Sequence, residues 1–338
     1  MTSKYADLLS NINNNQRGVQ DSVLIVDGLN CFLRAFTMIN HVNPDGHHIG
    51  GLTGFLKSLG YAIKTVDPTR VVIVFDGIGG SNSKRNLYPE YKANRGGNRL
   101  TNYTIFSNKD EEKEAINNQM VRLINYLQCL PLSMICVDGI EADDVIGYLV
   151  GKLEKFTPTR EVTLMSSDQD FIQLVSNKTK VYSPTKKKIY TPKEVIDEYK
   201  VHAHNYGLYK VFMGDKGDNI PKVKGFGENK LFKLIPSIQE EAPLTLKESL
   251  ELIDPTDKWG MQVLSYKHQL EINNQLIDLK SIPMSQGNEE HIKHSFNAQY
   301  ELNTYQFMQM YTNDLLGESI PNTSNWLNQV FGSLSFEG

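Results

Sequence analysis

The chain has 338 residues, enough for one large core with an attached lobe or for two domains, and its 40% hydrophobic and 22% charged content is ordinary for a globular protein. A net charge of −4 excludes a polycation, so any grip on nucleic acid must come from local basic patches. The three cysteines show no CxxC or Cys/His ligand spacing, which argues against a disulfide framework or a structural zinc site and for a reducing cytosol. There is no run of roughly 18 apolar residues and no apolar signal core behind Met1–Tyr5, so the chain reads as neither secreted nor membrane-spanning.

Residues 1–20 are polar and read as an N-terminal extension, either a short helix or a loose tail. Short apolar, β-branched runs follow at Val23–Val26, Val71–Phe75, Leu132–Val137 and Val162–Met165, as expected of strands buried on both faces. Helical segments lie between them, among them Leu52–Val66 and Glu111–Leu130. This alternation predicts an α/β fold with a parallel sheet over residues 21–190. From Lys178 to Lys193 the chain turns basic, with Tyr182 and Tyr190 interleaved and Lys186–Lys188 at the tip, the pattern of a hairpin. A helical lobe is expected over 191–315, with polar connectors at 237–258 and 284–294, and a tail over 316–338.

Nine acidic residues fall in five short blocks where strands or helices should end. They are Asp27, Asp76, the group Glu141, Asp143 and Asp144, the pair Asp168 and Asp170, and the pair Asp215 and Asp218. In a parallel sheet the carboxyl ends of the strands share one edge, so topology alone gathers these acids. Two unit charges about 4 Å apart repel by roughly 4 kcal/mol at an effective dielectric of about 20. Convergence of nine therefore calls for a positive partner, and oxygen-only ligands suit Mg²⁺ or Mn²⁺. The number of carboxylates exceeds what one Mg²⁺ uses, so two ions are expected, of the kind that clamp both oxygens of a phosphodiester under attack. The ordinary reading of one such acid is a turn or helix cap. Five blocks at matching positions go beyond it.

Two basic constellations accompany the acids. Between Lys84 and Arg99 lie Lys84, Arg85, Lys92, Arg95 and Arg99 with Tyr88 and Tyr91 interleaved, suited to phosphates and stacked bases. After Asp218, the run Lys222-Val223-Lys224-Gly225-Phe226-Gly227-Glu228-Asn229-Lys230 places a Gly-x-Gly turn before a helix, where backbone N–H groups face a phosphate. The histidine pairs His47/His48 and His202/His204 sit in no ligand frame and read as surface or packing residues.

With these residues in place, the chain resembles the 5′-nuclease superfamily of flap endonucleases, polymerase-linked 5′→3′ exonuclease domains, and phage exonucleases and ribonucleases H. The matching stretches are "LIVDGLN", "VVIVFDG", "YPEYKANR", "GIEADDVIG", "SSDQDFIQLV" and "GDKGDNIPKVKGFGENK", in family order, closest to the phage and bacterial branch. The resemblance implies a PIN-like parallel central sheet flanked by helices, a helical arch over 82–114 and a helix–three-turn–helix lobe. It implies one metal among Asp27, Asp76, Glu141, Asp143 and Asp144, and a second at Asp168, Asp170, Asp215 and Asp218, as two Mg²⁺ for which Mn²⁺ substitutes. Lys92 and Arg95 would act on the scissile phosphate, and Tyr91 would stack on the terminal base. Lys84, Arg85, Tyr88, Lys222, Lys224, Gly225, Gly227 and Lys230 would bind nucleic acid, with K⁺ at the helix–three-turn–helix element. The implied activity is a structure-specific 5′→3′ nuclease removing RNA primers or 5′ flaps during replication. Its partners would be DNA or RNA–DNA duplex with a 5′ single-stranded end, a sliding clamp or single-strand binding protein, and no membrane. It would act as a monomer in the cytoplasm of the host of a phage. The end, Gly332–Gly338, loosely resembles terminal peptides that dock on sliding clamps.

Two other readings use part of the pattern. A structure-specific DNA-binding protein without catalysis would not need all nine acids. A phosphatase with an Asp-x-Asp core would not need Tyr91, Lys92 and the turn after Asp218.

Overall fold

The computed structural model describes residues 20–96 and 100–334. Expectations for residues 1–19, for Gly97 and Arg99, and for residues 335–338 lie outside the described residues. Six strands form one sheet: β1 (Asp21–Asp27), β2 (Arg70–Asp76), β3 (Ser133–Val137), β4 (Thr159–Met165), β5 (Thr179–Ser183) and β6 (Lys188–Tyr190). Their order is β3-β2-β1-β4-β5-β6. Every pair is parallel except β5–β6, the predicted basic hairpin. The chain winds outward from β1 to one side through β2 and β3, then to the other through β4 and β5. That reversal opens the crevice of the sheet between β1 and β4.

Strand residues alternate between two cores, as a period of two requires. Val23, Ile25, Val72, Val74, Val162 and Leu164 face one, and Leu24, Val26, Val71, Ile73 and Met165 face the other. The second core is covered by α1 (Gly28–Met38), α2 (Gly50–Val66) and α4 (Lys109–Leu127). His48 lies in this region, 6% exposed and edge-on to Phe36, the packing role expected for it. The first core is covered by α5 (Ala142–Lys152) and by the helical part that follows the hairpin, beginning with α6 (Pro192–Tyr199) and α7 (Ala203–Met213).

The stretch expected to form an arch contains a short helix, α3 (Asn82–Leu87), a 3₁₀ turn at Ala93–Gly96, and the start of α4. Its far end is anchored. Phe106 stacks on Phe36 with ring centroids 5.5 Å apart, the Asn102 amide donates to the Phe36 carbonyl at 3.0 Å, and buried Glu112 accepts from the Thr101 and Asn102 N–H groups.

Three expectations for the second half are corrected. Residues 284–294 are no connector: Ser285 caps α12 (Gln286–Asn297), which buries Ile292 and Phe296. The stretch 237–258 contains α9 (Leu246–Glu251), opened by a Thr245/Glu248 capping box, after the short α8 (Glu228–Leu234) and a 3₁₀ turn. Residues 316–334 are no tail. After α10 (Lys258–Ser265), α11 (Lys267–Ile277) and α13 (Thr304–Asn313), they form α14 (Thr323–Phe331), whose Leu327, Val330 and Phe331 are at most 1% exposed in the second core. Leu334 is 1% exposed as well, and the remainder of the stretch that resembles a clamp-docking peptide, residues 335–338, lies outside the described residues. Hydrophobic spacing in a polar context hid this helix from the sequence reading. Truncating Phe331→Ala should therefore cost about 3–5 kcal/mol in urea unfolding, as loss of a core aromatic does. A loosely attached end would lose nothing measurable.

Candidate metal centre

Each acid is placed by the end of an element. Asp27 ends β1 and caps α1, its Oδ1 accepting from the Asn30 N–H at 3.2 Å. Gly28 follows it because a Cβ there would meet the Phe75 ring at 2.5 Å. Asp76 ends β2 and accepts from the Ala142 N–H at 3.0 Å, tying the start of α5 to the neighbouring strand end. Gly77 lets this loop close on β3, since its Cβ would lie 1.8 Å from the Val137 carbonyl oxygen. Glu141 precedes α5, with Asp143 and Asp144 in its first turn. Asp168 caps the 3₁₀ helix Gln169–Leu174 by accepting from the Asp170 N–H at 2.9 Å. After α7, Asp215 Oδ1 accepts from the Gly217 and Asp218 N–H groups at 2.6 and 3.1 Å and shapes the turn that carries Asp218.

Charge divides these nine acids into two sets. Five are ion-paired. Lys84 Nζ donates to Glu141 Oε2 at 3.0 Å and Asp144 Oδ1 at 2.7 Å. Lys92 Nζ donates to Glu141 Oε1 at 2.6 Å. Arg95 pairs with Asp218, and Lys210 pairs with Asp170 and, at 2.6 Å, with Asp215 Oδ2. The other four, Asp27, Asp76, Asp143 and Asp168, have no basic partner within ion-pair distance among the described residues.

Burial raises several of these carboxyls, in some cases against a paired cation. Burial pushes Asp27 from an ordinary 3.8 up to about 7, against hydrogen bonds from Ser166 and the Asn30 N–H, with the charges of Asp168 and Asp76 adding to the rise. Burial raises Asp143 strongly, and Asp27 and Asp168 raise it further. Burial would raise Glu141 too, but Lys84 and Lys92 overcome it and hold the carboxyl down at about 2. Asp170 is raised by burial to about 6 despite Lys210.

Asp27, Asp76, Asp143 and Asp168 thus form an oxygen-only group beside the crevice without direct ion pairs, and this chemistry fits a hard divalent ion. Among the described residues no three potential ligands already converge on one point, so binding requires these side chains to turn toward a common centre. This division differs from the one the sequence implied. Glu141 and Asp144 share Lys84 rather than standing free, and Asp168 sides electrostatically with Asp27 and Asp143.

The basic residues also differ from expectation. Lys84 is 9% exposed and enclosed by the carboxylates of Glu141 and Asp144. Tyr91 is 2% exposed, with its hydroxyl donating to Glu141 at 3.0 Å and Asp218 at 3.3 Å. Its ring is not presented to a base here, because the hydroxyl bridges two acids distant in sequence. Lys92 has a left-handed backbone, φ 56°, and its N–H donates to the Asp218 carbonyl at 2.9 Å. Arg85, Lys222 and Lys224 are exposed. Tyr88 donates to Glu90 at 3.0 Å. Gly225 takes φ 68°, and Lys230 Nζ donates to its carbonyl at 2.7 Å while lying 3.2 Å from the Trp259 ring centroid.

Two contributors escaped the sequence reading. Lys210 lies inside α7, outside every motif, and only its spacing of five before Asp215 hinted at it. Ser166 donates to Asp27 Oδ2 at 2.9 Å and accepts from the Asp168 N–H at 3.0 Å, linking the two sides of the crevice. The doubled serine before Asp168 was its signal.

Comparison with known proteins adds an independent line. The model of the 5′-3′ exonuclease N-terminal, resolvase-like domain matches residues 22–200. The 5′-3′ exonuclease of Bacillus subtilis is 31% identical over 275 residues, covering 78% of this chain and 86% of that protein. The thermostable DNA polymerase I of Thermus filiformis is 32% identical over 213 residues, but the match spans 63% of this chain and only 23% of the polymerase. Among solved structures, the bacteriophage T5 flap endonuclease in complex with DNA and metal ions superposes with a TM-score of 0.62 at 18% identity, over 87% of this chain and 98% of that one. The T5 5′-exonuclease with bound zinc gives 0.61 at 18% identity over the same shares. This likeness bears on the fold: a six-stranded, mostly parallel sheet flanked by helices.

Proposed function

The chain belongs to the 5′-3′ exonuclease family, and on that premise we propose that it is a divalent-metal-dependent, structure-specific nuclease for duplexes with a single-stranded 5′ end. The observation that carries this reading is the group Asp27, Asp76, Asp143 and Asp168, which has no direct ion pairs and is flanked by Lys92 and Arg95. These four acids would hold Mg²⁺, with Mn²⁺ as a substitute and a second ion toward Asp170, Asp215 and Asp218. Bound there, the ions supply an activated water and a counter-charge for the leaving oxygen.

The chain's own residues do the rest. Lys92 and Arg95 now pair with Glu141 and Asp218, a short side-chain swing from the crevice, and would exchange these partners for phosphate oxygens as charge grows on them. Tyr91 holds Glu141 and Asp218 at a fixed separation while they release their cations. Lys210 keeps Asp170 and Asp215 together at the second-ion side. The exposed Lys222 and Lys224, with the Gly225–Lys230 turn, would follow the duplex backbone, with K⁺ at that turn. The substrates proposed are 5′ flaps and RNA primers met during replication, handled by a monomer in the cytoplasm.

A 5′-labelled flap duplex and an RNA-primed duplex should be cut with Mg²⁺ and left intact with EDTA. Cutting in EDTA, or none with either substrate and Mg²⁺, removes this reading. Lys92→Ala should lower cleavage about 10²–10³-fold, the size typical of a transition-state charge donor, with substrate affinity in EDTA nearly unchanged. Equal losses in affinity and rate would make Lys92 a simple binding residue.

A further inference from the structure

Beside Lys210 and Asp215 lies a hollow of about 300 Å³ whose tyrosine lining the mechanism above does not use. Tyr199, Tyr206, Tyr209 and Met213 line it, with Gln169 and Lys216 at its rim. Its remaining lining includes Lys210 and Asp215, so it opens beside the acid pair that Lys210 holds together. The three tyrosines form a stepped series. Tyr199 and Tyr206 have centroids 4.8 Å apart at 65°, and Tyr206 and Tyr209 are 5.8 Å apart at 31°. Tyr209 is backed in turn by Phe232 at 6.2 Å and 29°. Tyr206 is 2% exposed and forms the floor, whereas Tyr209 and Met213 are partly exposed and form a wall.

Size alone does not select this hollow. A larger one of about 720 Å³ has four acids in its lining, Asp45, Glu111, Glu114 and Asp314, against one arginine, Arg122, which is paired with Asp314, a balance that disfavours a polyanion. The tyrosine hollow combines an aromatic and thioether wall with an exposed lysine and an amide at its rim. That is the composition with which proteins hold unpaired bases: a π-face to stack on, polar groups at the edge, and a cation near the backbone. The volume admits one nucleobase and not a base pair.

We propose that this hollow is a base-binding pocket that takes one unpaired nucleobase of the substrate, from a nucleotide close to the scissile phosphate. The proposal rests on the nuclease reading for the identity of the substrate and for its path past Asp170 and Asp215. Stacking is independent of base identity, so the pocket tolerates any sequence and requires only that the nucleotide be unpaired. It thereby favours ends that are frayed or single-stranded over closed duplex.

The test measures affinity in EDTA by fluorescence anisotropy, on a duplex with a 5′ single-stranded end. One abasic nucleotide is placed in turn at each position around the junction. At one position, loss of the base should weaken wild-type binding about tenfold, within the range that stacking on an aromatic side chain supplies. Tyr209→Ala should bind the intact substrate about tenfold more weakly and be indifferent to loss of that base. Tyr209→Phe should behave as wild type. If Tyr209→Ala does not fold, Met213→Ala is compared in the same way and should show a smaller loss at the same position. Equal sensitivity of wild type and variant to base loss at every position overturns the proposal. Because no cleavage is involved, a protein that binds with base dependence yet never cuts with Mg²⁺ would refute the nuclease reading and leave the pocket standing.

Discussion

Asp27→Asn should raise the melting temperature of the metal-free protein at pH 8 and at the same time remove its cleavage activity. Asp27 is 5% exposed, and burial together with Asp168 and Asp76 places its titration near 7. A carboxyl whose folded value lies above its unfolded value binds its proton more tightly when folded. Between about 4 and 7 the unfolded chain gives up that proton while the folded chain keeps it, so stability falls as pH rises through this window. At roughly 1.4 kcal/mol per pH unit the penalty reaches at most about 4 kcal/mol above pH 7, and below pH 4 it is absent. Asparagine keeps an oxygen for the Asn30 N–H and loses the charge, so in EDTA between pH 5 and 8 the variant should decline less steeply than the wild type, the remaining slope coming from Asp143 and Asp170. A divalent ion should stabilise the wild type and leave the variant unmoved. A variant less stable than wild type at pH 8 in EDTA would show that the carboxylate is compensated after all, and the metal assignment would go with it.

Lys84→Met should destabilise the fold by about 3–5 kcal/mol, the usual loss when one member of a buried ion pair is removed. Its ammonium lies between Glu141 and Asp144, and methionine fills the same volume without the charge. Glu141 adds a pH signature. Lys84 and Lys92 depress it to about 2. The stability from this pairing is present above about 4.5 and is lost as pH falls toward 2, so the difference between wild type and variant should shrink in acid. Urea melts at pH 7 and pH 3 measure both. A loss below 1 kcal/mol at pH 7 would return Lys84 to the role the resemblance gave it, a contact for phosphate.

These two cases show what the sequence made legible. The four apolar runs revealed the strands, and their shared polarity placed Asp27, Asp76 and Asp168 on one edge, because direction in a parallel sheet is fixed by connectivity. Pairing of charges is another matter. Glu141 sits three residues before Asp144, but what binds them is an ammonium 57 positions earlier. Tyr91 reads as an exposed stacking ring until Asp218, 127 residues away, is found against its hydroxyl. Lys210 lies in a helix of ordinary composition. Such contacts depend on how the helical part seats against the sheet, which no local pattern encodes. The same holds for α14, whose apolar residues look sparse until the surface they cover is known.

The link between Asp27 and Asp168 through Ser166 crosses the β1–β4 boundary in the middle of the sheet. Central strands are the last to exchange their amide protons, because exposing them requires global unfolding. Arg95 sits instead on the short 3₁₀ turn Ala93–Gly96, and Lys92 just before it, tied down by a few hydrogen bonds. On heating, the two should part company. The carboxylate frame would outlast the cations that face it, so the proposed metal site would persist at temperatures where the proposed phosphate contacts have already gone.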